Sequence, residues 1–267
     1  MTLRSPLAAL LKKELLDLKR NPGALLPVAV VAIVAFVLPF TVAVAVPAIT
    51  GQRLAEDRDL VAVSRVVDPE GRLAPDARVQ LFLFQQFLIL FLLTPITGAM
   101  ALAAHSVVGE KVARTLEPLL STPIAIIELL LAKVLGAFLP ALGIALAGLL
   151  LYFGGVALLA EPEVAREMLN LRTAALILLV GPAAALVSLQ LALMVSSRVN
   201  DARTAQQFGV LIVLPLAGLL VAQFTGAVWL TSTMLTIVGL GLLALWGGLR
   251  VLSAALFQRE TSLTRWR

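Results

Sequence analysis

The chain of 267 residues has no cysteine and a single histidine, His105. Without thiols no disulfide can staple its aqueous loops, and no thiolate can hold a metal or attack a substrate. One imidazole excludes multi-histidine metal centres. No Gly-x-x-x-x-Gly-Lys-Ser/Thr phosphate loop is present, so this chain does not hydrolyse ATP by that route. None of Ser106, Ser188, Ser196 or Ser197 lies in a recognisable nucleophile setting, so hydrolase chemistry finds no support either. His105 reads as a polar helix-end residue rather than a lone catalytic base. Charge is scarce as well: Asp, Glu, Lys and Arg make up 14% of residues, against about a quarter in soluble domains. Apolar residues fill the difference at 60%, with a mean hydropathy of +0.99. Water is not the main solvent of such a chain, and an all-α integral membrane protein is expected.

The apolar runs fall at about 24–47, 80–104, 129–159, 173–196, 208–224 and 231–257. Each is read as a transmembrane helix, giving six spans in a single transmembrane domain over 1–267. The fifth is the shortest and holds Pro215. The first follows a basic stretch and contains "AVAVPA" at 43–48, but it is longer than the roughly 7–15 residues of a secretory signal core and is read as an anchor. Full charges are nearly absent from the runs; Lys133 and Arg250 lie near ends, where long side chains can snorkel to headgroups. With a cytoplasmic N-terminus, the inner segments hold 14 of the 21 Lys and Arg. The outer ones hold Arg53, Arg58, Arg65, Arg72, Arg78, Arg166 and Arg172. The positive-inside rule therefore places both termini in the cytoplasm. The net charge of +5 then belongs to a face lying against anionic lipid, and no nucleic-acid partner is implied.

Two aqueous segments carry pattern of their own. In "LRSPLAALLKKELLDLKRNPG", Leu3, Leu7, Leu11, Leu15 and Leu18 recur at three- and four-residue steps before Asn21-Pro22-Gly23. That spacing predicts an amphipathic helix lying in the inner interface. The outer loop 48–79 nearly balances its six acids against five arginines. Its "DLVAVSRVV" is rich in β-branched residues and runs into Asp68-Pro69-Glu70-Gly71, a type I turn signature. A small hairpin and a solvated loop are both open readings there, and two strands alone are marginal.

The stretch "GEKVARTLEPLLSTPI" at 109–124 gathers charge between two apolar runs. Gly109 can release the preceding helix. Arg114 to Leu120 is compatible with a short helix carrying Leu116, Leu119 and Leu120 on one side. Thr122-Pro123 reads as an N-cap followed by proline at the first helical position. In the topology above, this loop over 105–124 is cytoplasmic. From spacing alone it is either a docking handle or a charged turn at headgroup level.

At Gly109, Glu110, Lys111, Thr115, Leu116, Glu117, Leu119, Leu120, Thr122 and Pro123 the sequence resembles the membrane subunits of ABC (ATP-binding cassette) exporters called type-2 permeases. The N-terminal "KKELLDLKRNPG" is similar to that family's basic N-terminal helix. The chain departs from the family at Val112 and Ala113, where an acid and a base are frequent. The resemblance implies that 109–124 forms a coupling helix seated in a groove of a separate ATPase subunit. Glu110, Lys111, Arg114, Thr115, Leu116, Glu117, Leu119 and Leu120 would be its coupling residues, the leucines filling an apolar cleft and the charges forming rim or cap contacts. It further implies two ATPase copies, a second permease copy or a paralogue, and ATP with magnesium bound in the partner rather than in this chain. The expected setting is a prokaryotic cytoplasmic membrane, with outward movement of substrate.

An ion-coupled carrier and a non-transporting scaffold are the rival readings. A carrier places Asp, Glu or His inside its spans, and this chain does not. Uncharged polar residues in the runs are Thr94, Thr97, Gln190, Gln223, Thr231, Thr233 and Thr236. Helix–helix glue is their commoner use, and no substrate-binding residue is assigned. Pro140, Gly181-Pro182 and Pro215 are expected to bend spans three, four and five.

Overall fold

A computed structural model describes residues 11–13, 16, 26–112, 126–198 and 210–264. Every regular element among the described residues is helical. In hydrocarbon, each backbone N–H and C=O must be satisfied inside the protein, and runs this apolar meet that demand as helices. Of the expected N-terminal helix, only residues 11–13 and 16 are described, and these are helical.

The first span opens with α1 (Leu26–Phe40), widens into a π turn at Thr41–Ala45, and closes with α2 (Val46–Thr50). A loop with a short 3-10 turn at Leu54–Glu56 leads to α3 (Arg58–Ser64). The second span is α4 (Pro75–Phe91) followed by α5 (Leu93–Val112), and the third is α6 (Ile126–Leu159). After the short α7 (Pro162–Met168), the fourth span comprises α8 (Leu171–Ala175), a π turn at Leu176–Val180, and α9 (Gly181–Arg198). Then come α10 (Val210–Phe224) and α11 (Ser232–Thr264).

Five described helices are long and apolar enough to cross a bilayer: Val28–Thr50, Pro75–Ala103, Leu131–Leu159, Leu171–Ser196 and Ser232–Ser253. Helix α10 has 15 described residues, short of the roughly 20 a span needs. Burial separates the five. Over an apolar 18-residue stretch of each, 83% of residues are buried in the second and 67% in the fourth, against 11% in the last. The second span is thus the hub, with α5 packed on α1, α6 and α9, while α11 turns most of its surface outward.

Both π turns stand two residues before a proline, Pro47 and Pro182. Proline has no N–H, and its ring collides with the carbonyl four residues back in a regular α-helix. Widening the preceding turn relieves that collision: Val46 N–H reaches Thr41 O, and Gly181 N–H reaches Leu176 O. By contrast, Pro140 and Pro215 lie inside helices that continue through them, α6 and α10.

Close approach needs small residues. A Cβ on Gly98 of α5 would sit 3.0 Å from Ala141 Cβ and 3.1 Å from Val28 Cγ1, so three helices converge there. A Cβ on Gly155 would fall 2.5 Å from Phe40 Cζ. That ring belongs to an aromatic cluster in which Phe40, Phe84 and Phe91 all meet Tyr152, with centroids 5.6, 5.9 and 5.1 Å away. The Tyr152 hydroxyl, fully buried, donates to Phe84 O at 2.7 Å. The hydrogen bond lets a polar tip enter an apolar core without a desolvation penalty left standing.

Candidate functional site

At one end of the bundle the three connections 51–74, 160–170 and 225–231 gather into a helical cap. Neither the hairpin nor a freely solvated loop describes its first segment. The Asp57 side chain accepts from the Asp59 and Leu60 amides and starts α3, which overrides the β-branched bias of the residues that follow. The turn at Asp68–Gly71 is present, closed by Gly71 N–H to Asp68 O at 3.2 Å, with Gly71 at φ 66 where glycine is favoured. Asp68 then accepts from the Arg72 and Leu73 amides at 3.1 and 2.9 Å. Burial pushes its carboxyl upward, but the amides of Leu73 and Arg72, the charge of Arg78 and the Gly71 amide outweigh it and hold its pKa below the ordinary value. Ala55 N–H donates to Asp76 at 2.9 Å, fixing the loop to the start of α4. Gly226 of the last connection lies against Val63 of α3.

One side chain ties the cap to two spans. Gln80 donates from Nε2 to Ala43 O at 3.1 Å and accepts at Oε1 from Glu161 N–H at 2.9 Å. Ala43 is the residue whose carbonyl loses its helical donor at Pro47, so the glutamine satisfies a group that the first span cannot satisfy itself.

Beneath the cap lies Arg172, expected among the aqueous outer arginines and found instead 9% exposed inside the protein. Its Nε donates to Leu230 O and its Nη1 to Gln85 Oε1, both at 2.8 Å. The guanidinium lies 4.0 Å from the centroid of the Trp229 ring, and Phe82 stacks on that same indole at 6.2 Å. Phe224 meets Phe82 and Phe87 edge-on. Lys133 also departs from expectation. At 3% exposed it sits on an inward-facing position, whereas snorkelling requires a lipid-facing one. Arg250 does lie along its helix, over Trp246 at 4.9 Å.

The uncharged polar residues divide into two kinds. Thr97 and Thr236 donate to carbonyls four residues back, and Thr231 accepts from Met234 N–H at the start of α11. Those hydroxyls are satisfied locally. Thr233 is exposed on the first turn of the same helix. The amides differ: Gln86 and Gln223 are fully buried with neither side-chain atom partnered, and Gln190 Oε1 and Thr94 Oγ1 are likewise buried and unpartnered. Sequence reading alone misses Gln85 and Gln86; their signal is the pair of adjacent amides inside "LFLFQQFLILF".

At the opposite end, α5 carries the backbone of Glu110 and Lys111 on a helix continuous with the buried hub. Gly109 does not release that helix, which runs on to Val112, because a glycine weakens a helix interior without forcing it to stop. Arg114, Thr115, Leu116, Glu117, Leu119 and Leu120 lie outside the described residues, as do Thr122 and Pro123. Helix α6 resumes at Ile126.

A family model described as ABC-2 family transporter protein matches residues 8–255. The chain belongs to the ABC-2 transporter family. No curated protein and no solved structure matches it. As an ABC-2 permease it is a multi-pass membrane subunit of an ABC transporter, and it lacks an ATPase motif of its own. Family membership carries with it, in general terms, an ABC ATPase as partner.

Proposed function

We propose that this ABC-2 permease exports its substrate, driven by an ATPase that docks on residues 109–124. The observation that carries the reading is the match over 8–255 in a chain without a phosphate loop: energy has to enter from another subunit, through a surface exposed to water. Only one connection at the end opposite the cap combines an apolar triad, Leu116, Leu119 and Leu120, with the flanking charges Glu110, Lys111, Arg114 and Glu117. Its position in the chain supports the role, because α5 leads from the most buried span straight into it. A push on the loop therefore acts on the hub, not on a peripheral helix.

In this reading the loop and both termini are cytoplasmic, the cap is external, and the membrane is the prokaryotic inner one. Two permeases, identical or paralogous, pair with two ATPase subunits that bind ATP and magnesium. The broad outward surface of α11 is available to lipid or to the second permease. An ion-coupled carrier is disfavoured by the described spans themselves: Asp76 is the only acid in them, and it sits at the second position of α4, bonded to Ala55 N–H.

The test is Glu117→Arg. Reversing that charge should lose at least roughly tenfold of ATPase co-purification and of nucleotide-driven transport in vesicles, while membrane insertion stays normal. Wild-type coupling in that variant would overturn the docking assignment.

A further inference from the structure

We infer that the belt under the cap is a binding site for an amphiphile with an anionic headgroup, held by Arg172 with Gln86, Gln223 and Thr173. This assignment of a substrate class rests on the permease reading above. It starts from an imbalance of charge. Arg172 is nine-tenths buried and is bonded only by neutral groups, Leu230 O, Gln85 Oε1 and the Trp229 face; among the described residues no carboxylate pairs with it. A guanidinium has five N–H donors, and two are used. A merely structural arginine in a membrane protein would be expected to find an acid or a full set of carbonyls. Here donors remain, and unpaired hydrogen-bonding groups stand next in the chain to Arg172 itself and to Gln85, which holds it.

Thr173 follows Arg172 and its hydroxyl is buried without a partner. Gln86 follows Gln85, which holds the guanidinium, and both of its amide atoms are unpartnered at zero exposure. Gln223 is in the same condition, next to Phe224, whose ring meets Phe82 and Phe87 on either side of the glutamine pair. Phe82 in turn stacks on the indole beneath Arg172. One chain of contacts thus runs from the buried cation through Trp229, Phe82 and Phe224 to Phe87, and the two free carboxamides and the free hydroxyl belong to chain neighbours of its members. Buried polar groups left unpaired in a native protein point to a missing partner. An oxyanion supplies the negative charge and accepts from N–H and O–H donors together. The rings Phe82, Phe224 and Trp229 suit an attached apolar tail.

Binding to the purified full-length permease, without ATPase or nucleotide, tests this directly. A Trp246→Phe, Trp266→Phe background leaves Trp229 as the reporter. Lysophosphatidate should change its fluorescence saturably, and the monoacylglycerol of the same chain should bind at least roughly tenfold more weakly. Arg172→Gln should weaken lysophosphatidate binding by at least about tenfold. Gln86→Leu should also weaken it while leaving the melting temperature equal or higher, since an unpaired amide is removed; this variant decides the matter if Arg172→Gln fails to fold. Competition by inorganic phosphate at millimolar concentration would make the anion alone the ligand and overturn the amphiphile, whereas its absence would make the tail a required part. Equal binding of the neutral lipid, or wild-type binding by a folded Arg172→Gln or by Gln86→Leu, would overturn the site. The Glu117→Arg variant should bind the probe like wild type, so failure of ATPase docking and failure of this site are told apart.

Discussion

Gln80 joins the first span, the second span and the α6–α7 junction through a single amide, and its removal has a calculable cost. Gln80→Leu strands Ala43 O, worth about 1–3 kcal/mol when buried without a partner, while the exposed Glu161 N–H turns to water. A thermal melt in detergent should show the loss, and Gln80→Glu, which keeps only the acceptor, should fall between Leu and wild type. Asp68 offers a pH readout. Its folded pKa is depressed, so its stabilising contribution is complete above the ordinary Asp value of about 3.9 and fades as pH falls through the lower folded value. Acid melting of the cap should therefore steepen below about pH 4, and Asp68→Asn should remove that dependence along with one amide bond to the 72–73 backbone. These side chains show where sequence reading stops. Arg172 lies at the edge of an apolar run, and nothing in its neighbours says whether it points to water or to Gln85. Lys133 poses the same ambiguity, and only the packing around each residue resolves it.

Among the elements, the helical character is legible because long apolar runs leave the backbone no alternative in lipid. The hairpin reading of the outer loop 48–79 fails for an instructive reason. Val61, Val63, Val66 and Val67 carry the β signal, while Asp57, two and three residues before the amides it caps, carries a helix-start signal that outweighs it. The turn at Asp68-Pro69-Glu70-Gly71 is legible since proline and glycine fix it locally. The π turn before Pro47 has no counterpart in the sequence reading, although the one at Gly181-Pro182 stands where a bend is expected. Pro47→Ala would supply an N–H facing Ala43 O, allow a regular helical turn, and compete with Gln80 for that carbonyl; an exchange-protected amide at residue 47, a position with no amide proton in the wild type, would report it. Gly155→Ala should cost about 1–3 kcal/mol by overpacking, since Phe40 is hemmed in by Phe36, Phe84 and Tyr152 and has little room to yield. Melting of that variant beside Gly154→Ala, where the added methyl meets nothing, isolates the clash.

For the whole molecule, the absence of cysteine is an experimental advantage. Single cysteines at Glu163 and Gln258 can be introduced without a background thiol. A membrane-impermeant maleimide applied to intact cells should label Glu163→Cys in the cap and spare Gln258→Cys; the reverse pattern would invert the proposed orientation. The segment 109–124 shows the limit of legibility at this scale, since its family pattern is plain in the sequence while most of its residues lie outside the described structure.

The second span has a further mechanical meaning. Its 29 residues rise about 44 Å at 1.5 Å each, more than the roughly 30 Å of hydrocarbon, and it is packed along most of that length. It is built of two helices, α4 and α5, that meet at Leu92, and both are held by their neighbours. In the proposed orientation, displacement at its cytoplasmic tip passes through that junction to the glutamines and the cap above them, so the two faces of the membrane share one moving part.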